Sequence, residues 1–353
     1  MIKISEENLK LVEDFGASPI SDLENIPDFY TFKKGLIYSH RDFDVFLKAL
    51  ENGEKCAIVS GVNASGTLHL GHKIVFDTNL YFQRKYGIPV FIPISDDESY
   101  VAGKVNDQEE AFNNSVKLAK EMLAYGFDPR KTYFIIDHSC TEIYNLAFKL
   151  SRKINYSEIK AVYGYKPEQN IGLHFYPAVQ SAHILLPQEK FGIKNVLVPI
   201  GPDEDNHFRI CRDIAYRFGY NKPAAIHSNF IMGLDNNKMS KSRNNGINLN
   251  EEVSSLKKKI NNAFSGGQKT IEEHRKLGGD PEVDISCQYL SLFFLNEEES
   301  MQLFEKYRKG EILSGEVKKM LFDKTSAFLN DFQDKLRDIT DEDVENCLVR
   351  IPR

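Results

Sequence analysis

Two histidines three residues apart are the first candidates for chemistry in this chain. His69 and His72 flank Gly71 in the run His69-Leu70-Gly71-His72, which opens a predicted helix after a short apolar run. The first turn of a helix presents unpaired backbone N–H groups and the positive end of the helix dipole, both favourable to phosphate. A glycine there leaves room for a nucleotide to pass close to the backbone. The two histidines could instead bind a metal ion, although no acidic or cysteine ligand stands nearby.

A basic loop is the second candidate. The run Lys238-Met239-Ser240-Lys241-Ser242 follows a predicted turn at residues 233–237. Two lysines bracketed by small hydroxyl residues suit a polyphosphate that moves during a reaction, because their ammonium groups stabilise the charge of a departing pyrophosphate. Taken alone, the same run could be a solvated basic loop.

The elements that would position these groups alternate from residue 55 onward. Apolar runs predict strands at 56–60, 90–95, 133–136, 196–200 and 224–226, and longer periodic stretches predict helices at 71–86, 107–125 and 205–218. This alternation is typical of an α/β fold with a doubly wound, Rossmann-like parallel sheet. About 60 residues separate the third and fourth strands, too many for one crossover, which predicts a helical insertion at about 140–190. After residue 250 the strand signals stop.

The expected domains are therefore an N-terminal appended segment (1–54), a catalytic domain (55–249) and an all-helical C-terminal domain (250–353). With 353 residues, 41% hydrophobic and 27% charged, the composition is that of a globular protein. The net charge of −6 argues against non-specific DNA coating, although a local basic patch could still bind nucleic acid.

Targeting and redox signals predict a cytoplasmic protein. No apolar run approaches the ~18 residues of a membrane span, and the first ten residues lack the shape of a signal peptide. The five cysteines are an odd, scattered set without a C-x-x-C pair, which favours a reducing compartment over a disulfide framework.

Together, the two signatures and their places after the first and last strands resemble class I aminoacyl-tRNA synthetases. Adenylyltransferases of the related fold share the first signature but usually lack the second. The similarity narrows to tryptophanyl-tRNA synthetases of the archaeal and eukaryotic type and extends from about Phe15 to Asp341. Further runs carry it: Gly35-Leu36-Ile37-Tyr38-Ser39-His40-Arg41-Asp42, Asp96-Asp97-Glu98, Phe175-Tyr176-Pro177-Ala178-Val179-Gln180, and Ala263 to Arg275 continuing through Gly278-Gly279.

This resemblance implies a two-step reaction in which ATP and an amino acid form an aminoacyl-adenylate and the acyl group then passes to tRNA. The residues placed on the phosphates as catalytic groups are His69, His72, Lys238 and Lys241. Those expected to bind ATP are Gly61, Gly71, Gly201, Asp203, Met239 and Ser240. Those expected to bind the amino acid are Val59, Glu98, Gln180 and Glu204.

The resemblance also implies partners. Mg²⁺ would accompany the nucleotide, with no resident metal ion, and the nucleic acid would be tRNA, in the first place tRNA(Trp), rather than DNA. The C-terminal helical domain would read the anticodon. Enzymes of this branch are homodimers, and the insertion is the expected dimer region.

Several positions leave alternatives open. Asp203 could be a helix cap, and Glu98 a salt-bridged surface residue. The family usually has Tyr where this chain has Val59, Gln where it has Pro93, and Gln where it has Glu204. Because a pocket gains selectivity from hydrogen bonds to a substrate N–H or O–H, an enzyme of the same class charging tyrosine or another amino acid is one alternative. A paralogue that binds tRNA or another partner without charging it is the other.

Overall fold

The structure, a computed structural model, describes residues 6–239 and 243–351. Its strands are β1 (Ser18–Pro19), β2 (Ile37–Arg41), β3 (Cys56–Val59), β4 (Val62–Asn63), β5 (Val90–Ser95), β6 (Thr132–Ile136), β7 (Asn195–Ile200) and β8 (Ala224–Ser228). The helices up to the insertion are α1 (Glu6–Glu13), α2 (Tyr30–Lys33), α3 (Phe43–Glu51), α4 (Lys73–Tyr86), α5 (Asp96–Val101) and α6 (Gln108–Tyr125). Those of the insertion and beyond are α7 (Glu142–Ser151), α8 (Tyr156–Tyr163), α9 (Ile171–Phe191), α10 (Asp205–Phe218), α11 (Val253–Asn261), α12 (Ile271–Leu277), α13 (Ile285–Phe293), α14 (Glu297–Arg308), α15 (Ser314–Asp338) and α16 (Asp341–Cys347).

One sheet organises the strands, in the order β1-β2-β8-β7-β3-β5-β4, with β6 also paired to β5. Strands β3 to β8 pair in parallel, which confirms the predicted doubly wound sheet. Every residue of β3 and β5 is buried, and this explains why these strands read as continuous apolar runs rather than alternating ones.

The N-terminal region contributes its own strands to this sheet. Strand β2 pairs antiparallel with β8, and β1 pairs antiparallel with β2. The segment expected to be an appendage (1–54) therefore forms the antiparallel edge of the sheet.

The chain divides into two compact units. Unit 1 contains the sheet and comprises the chain up to Gly66, Ile74–Asn229 and the part from Ile339 onward. Unit 2 is helical and comprises Thr67–Lys73 and Phe230–Asp338. It thus begins earlier than the expected boundary at residue 250 and includes the histidine signature.

Helix α16 returns to unit 1. Its Val344 is buried, and the backbone N–H of Val349 donates to the carbonyl of Phe134 in β6 (2.9 Å). Lys120 of α6 forms an ion pair with Asp341 (2.7 Å). The last helix of the expected C-terminal domain is therefore packed on the sheet unit.

Helices α7, α8 and α9 form the insertion between β6 and β7. The buried core beside the sheet includes Ile143, Leu146 and Leu150 of α7 and Ala182 and Leu185 of α9. Among the described residues, no helix combines the length and the apolar composition that a membrane span requires.

Candidate active site

The histidine signature forms the turn that leads into α4. A 3-10 helix at Leu70–His72 precedes α4, and the two histidines cap it. The backbone N–H of Gly71 donates to Nδ1 of His69 (3.1 Å), and the backbone N–H of His69 donates to Nδ1 of His72 (3.1 Å). A neutral imidazole that accepts at Nδ1 has its proton on Nε2, where it is a hydrogen-bond donor; Nδ1 of His72 also lies 3.3 Å from the carbonyl oxygen of His69.

The two signatures meet inside unit 2. The backbone N–H of Leu70 donates to the carbonyl of Ile247 (2.9 Å), and that of Leu249 donates to the carbonyl of Leu68 (2.9 Å). A Cβ built on Gly71 would lie 3.4 Å from Sδ of Met239 and 2.7 Å from the ring of His69. The packing of the protein itself therefore requires a glycine at position 71, whether or not a nucleotide also passes there.

Lys238 ends a tight hairpin in unit 2. The backbone N–H of Gly233 donates to the carbonyl of Asn237 (2.7 Å), and Asn236 adopts a positive φ of 59° at the tip. The Lys238 side chain is exposed, with its ammonium group 4.0 Å from the ring centroid of Phe230. This places a positive charge at the surface of unit 2. Lys241, expected on the phosphates, and Ser240, expected to bind ATP, lie outside the described residues.

The first strand of the catalytic fold places Val59 and Gly61 in unit 1. Val59 is buried at the end of β3, and Gly61 follows it in an exposed position. A Cβ on Gly61 would lie 3.4 Å from the carbonyl oxygen of Pro93, which is an ordinary contact. Protein packing alone therefore does not require a glycine at position 61.

Glu98 is held in a polar cluster that sequence reasoning only partly anticipated. Its side chain is 14% exposed and forms an ion pair with Lys104, with 2.8 Å between Oε1 and Nζ. Asn63 of β4 donates a hydrogen bond to its other oxygen. Glu98 thus forms the salt bridge of the alternative interpretation, but its carboxylate is largely buried rather than at the surface. Asn63 was not predicted, because a lone Asn in a two-residue strand has no distinctive spacing.

Gln180 and Glu204 are brought together in unit 1. The Tyr163 hydroxyl donates to Oε1 of Gln180 (2.7 Å), while His207 lies 3.1 Å from Oε2 of Glu204 and stacks on Tyr163 at 4.0 Å. The hydrogen bond from His207 lowers the pKa of Glu204, with a further contribution from the Gln180 amide. Tyr163 and His207 were both missed. The sequence signal for His207 was its place three residues after Glu204.

Gly201 and Asp203 occupy the turn after β7. A Cβ on Gly201 would lie 2.6 Å from Oδ1 of Asp203, so this carboxylate folds back over the glycine. The N-cap residue of the following 3-10 helix is Gly201, and that of α10 is Glu204. Neither cap involves a side-chain hydrogen bond. Asp203 is exposed, and the helix-cap alternative gains no support.

A cluster of metal-type ligands lies elsewhere in unit 1. Among the described residues, the group whose ligand atoms lie within 4.8 Å of one another is Asp96, Asp97 and Asp137. The backbone N–H of Asp137 donates to Asp96 (2.9 Å), and His183 bonds Asp137 (2.6 Å). Neither histidine of the signature belongs to this cluster. Among the described residues, no third ligand supports the alternative that His69 and His72 bind a metal ion.

Comparison with known proteins decides the family. The family model described as tRNA synthetases class I (W and Y) matches residues 51–330. The chain belongs to this family. The tryptophan–tRNA ligase of Methanocaldococcus jannaschii is 38% identical over 340 residues, covering 92% of this chain and 91% of that protein.

Solved structures of the family share the whole fold. The tryptophanyl-tRNA synthetase of Plasmodium falciparum has a TM-score of 0.88 and 33% identity, covering 97% of each chain. That of Encephalitozoon cuniculi, solved bound to tryptophan, has a TM-score of 0.86 and 29% identity over 98% of each chain. The expected class I synthetase fold, with its helical C-terminal region, is thereby confirmed.

Proposed function

We propose that this class I synthetase is a tryptophan–tRNA ligase that activates tryptophan with ATP and transfers it to tRNA(Trp). The observation that carries the proposal is the meeting of both signatures in unit 2, where Met239 approaches Gly71 and backbone hydrogen bonds join the flanking segments. A protein that bound its partner without chemistry would not need both. The relatives at 34–38% identity are named for tryptophan, which favours this amino acid over tyrosine.

The phosphate chemistry follows from the protonation and charge of unit 2. With Nδ1 engaged as an acceptor, His69 and His72 offer Nε2–H donors to a phosphate. The exposed ammonium group of Lys238 adds the positive charge that a departing pyrophosphate requires. Catalysis is then positioning plus charge stabilisation, without a covalent enzyme intermediate.

Mg²⁺ would enter with the nucleotide and neutralise phosphate charge. The carboxylates of Asp96, Asp97 and Asp137 are a poor alternative site, because most of their oxygens already accept hydrogen bonds from backbone N–H groups, Tyr144 or His183, and Oδ2 of Asp137 is the one buried oxygen of the three without a partner among the described residues. We therefore assign no resident metal ion, and the ligands of Mg²⁺ would be phosphate oxygens and water.

The polar groups of the amino acid would bind in unit 1. Glu98 offers a carboxylate, already oriented by Asn63 and Lys104, to the α-ammonium group of the substrate. Gln180, oriented by Tyr163, offers an amide to the same region. Gly61, Gly201 and Asp203 would bind the nucleotide, and Val59 would line the apolar part of the amino-acid pocket.

Amino-acid-dependent ATP–pyrophosphate exchange tests the function. We expect exchange with tryptophan and not with tyrosine, and a Lys238→Ala variant slower by about 10²-fold because transition-state charge is no longer stabilised. Lys258→Ala, an exposed lysine of α11, is the matched control and should leave exchange unchanged. Exchange with tyrosine alone would overturn the substrate, and no exchange with any amino acid would favour the non-charging paralogue.

Partners and location extend the proposal. Unit 2 would contact the anticodon region of tRNA, and the cytoplasm would be the location. The insertion has exposed apolar side chains, such as Phe148 (75% exposed) and Ile171 (84% exposed), which suit a homodimer interface. Sedimentation equilibrium should give twice the chain mass of 40.4 kDa, and a monomer at assay concentrations would contradict this.

A further inference from the structure

A buried polar cluster in unit 1 is not used by the roles assigned above. His183 of α9 bonds Asp137, at the end of β6, with 2.6 Å between Nε2 and Oδ1, and the two side chains are 3% and 0% exposed. The Tyr144 hydroxyl donates to Asp97 beside them (3.3 Å). Burying ionisable groups costs free energy unless they are paired and hydrogen-bonded. Such clusters often mark functional sites.

The hydrogen bond to Asp137 bears on the tautomer of His183. Burial lowers the pKa of His183 to about 4, so the imidazole is neutral at physiological pH. Burial also raises the pKa of Asp97 and of Asp137 to about 8. His183 and Asp137 share a hydrogen bond of 2.6 Å through Nε2, and when Oδ1 of Asp137 accepts it, the imidazole proton is on Nε2 and Nδ1 is a bare acceptor.

The position of His183 places this residue on the face of α9 that carries Gln180, an expected amino-acid ligand. Tyr176, Gln180 and His183 are spaced i, i+4 and i+7 along α9, so they share one face of the helix. The Tyr176 hydroxyl bonds Oγ of Ser95 (2.8 Å) in β5, the strand that also carries Pro93. The face of α9 and the carboxyl end of β5 therefore belong to the same region.

The substrate proposed above needs one acceptor for its side chain. Indole has a single polar group, an N–H that can only donate. Val59 and Pro93 have no side-chain acceptor, the Ser95 and Tyr176 hydroxyls bond each other, and Gln180 accepts from Tyr163. Among the described residues, Nδ1 of His183 makes no hydrogen bond, and Oδ2 of Asp137 beside it is a second acceptor without a partner.

We infer that His183 reads the side chain of the amino acid by accepting the indole N–H at Nδ1, with Asp137 as the positioning residue that sets the tautomer. This inference rests on the proposed function. It makes the His183–Asp137 pair the polar specificity element of a pocket whose other side-chain positions, Val59 and Pro93, are apolar. A donor-only group left without its acceptor in a buried pocket loses binding free energy, which gives the pair its selectivity.

A substrate pair isolates that hydrogen bond. Tryptophan and its benzothiophene analogue, in which sulfur replaces the N–H, have nearly the same shape but differ in the donor. We expect the wild-type kcat/KM in pyrophosphate exchange to favour tryptophan, and His183→Gln to lower this preference by about 10- to 100-fold through tryptophan alone. The glutamine keeps a donor toward Asp137 but lacks an acceptor at the δ position.

Two further variants keep the test decisive if one of them folds poorly. Asp137→Asn should cause a similar loss of preference, because an amide donor forces the other tautomer on His183. His183→Asn, with an oxygen at the δ position, should restore most of the preference. Lys190→Ala, in the last turn of α9, is the matched control and should leave the preference for tryptophan unchanged.

The possible outcomes distinguish a failure of the inference about His183 from a failure of the proposed function. A preference for tryptophan that survives in both His183→Gln and Asp137→Asn would overturn the inference while leaving the ligase intact. Equal losses for both substrates would also overturn it, since the pair would then be structural. A wild-type protein that activates no tryptophan would instead contradict the proposed function. Because the chain has no Trp, binding of tryptophan can also be followed by its own fluorescence.

Discussion

At the scale of single residues, the glycines show how function and packing can be distinguished. Gly71 is required by its neighbours, because a Cβ there would meet the ring of His69 at 2.7 Å. Gly61 is not, because a Cβ there would make only ordinary contact with Pro93. A substitution at Gly61 therefore tests the expected nucleotide contact with little disturbance of the fold.

Gly61→Ala should raise the KM for ATP about 10-fold or more, since the methyl group would occupy space expected for the nucleotide. The free energy of unfolding should change by less than about 1 kcal/mol, because the backbone there has no positive φ and the neighbours leave room. Steady-state exchange kinetics and urea unfolding measure the two quantities. A KM for ATP equal to that of the wild type would remove Gly61 from the nucleotide site.

At the scale of elements, the run most typical of the family serves as the joint between helices of unit 2. In this run and its continuation, His274 bonds the carbonyl of Ile312 (2.9 Å) and Arg275 bonds the carbonyl of Gly310 (2.9 Å). The Tyr307 hydroxyl donates to Asp284 (2.7 Å) in the same joint. The observed contacts of this run are therefore structural.

Gly278→Ala should destabilise this joint. Gly278 has a φ of +72°, and a Cβ there would overlap the carbonyl oxygen of Arg308. Backbone strain and overpacking together should lower the free energy of unfolding by about 2–4 kcal/mol. Urea unfolding monitored by circular dichroism measures this.

Gly315→Ala is the control for this prediction, because a Cβ there meets nothing within 4 Å and lies in helix α15. It should leave stability unchanged or raise it by up to about 1 kcal/mol. If Gly278→Ala unfolded at the same urea concentration as Gly315→Ala, the close approach at Arg308 would be wrong.

The long elements were predicted, whereas some of the short ones were missed. The predicted helix 205–218 coincides with α10 (Asp205–Phe218), because its apolar positions recur with helical spacing. Strand β4 (Val62–Asn63) and helix α12 (Ile271–Leu277) were missed. Two residues have no period, but the capping box of Thr270 and Glu273 could have revealed α12.

At the scale of the whole molecule, a buried ion pair joins the N-terminal strand to the sheet unit. Asp205 of α10 accepts from Arg41 of β2 at 2.6 and 2.7 Å and from His227 of β8 at 3.1 Å. Burial would raise the pKa of Asp205, but the hydrogen bonds from His227 and Arg41 hold it well below its usual range. Three separate stretches of chain are thereby joined through one carboxylate.

Asp205→Asn should lower the free energy of unfolding at pH 7 by about 3–5 kcal/mol, because the Arg41 charge is left buried and unpaired. A depressed pKa contributes stability that is full above the ordinary value of about 4 and is lost progressively as the pH falls from that value through the lower pKa of the folded state. The difference in the free energy of unfolding between the wild type and Asp205→Asn should therefore decrease at acid pH. Urea titrations between pH 7 and pH 3 measure it.

The control is Asp213→Asn, an exposed carboxylate on the same helix, which should change stability by less than about 0.5 kcal/mol at any of these pH values. A deficit for Asp205→Asn that stayed constant across the titration would show that the bonds do not depend on the ionised carboxylate.

The α/β class, the parallel sheet and the two sequence signatures could be identified without coordinates, because periodicity and local motifs lie in contiguous residues. The packing of α16 on the sheet unit, the stacking of His207 on Tyr163 and the hydrogen bond of His183 to Asp137 across 46 residues became visible in the folded chain alone. These contacts join side chains whose separation in the chain follows no period. Burial, which lowers the pKa of His183, exists only once the chain has folded.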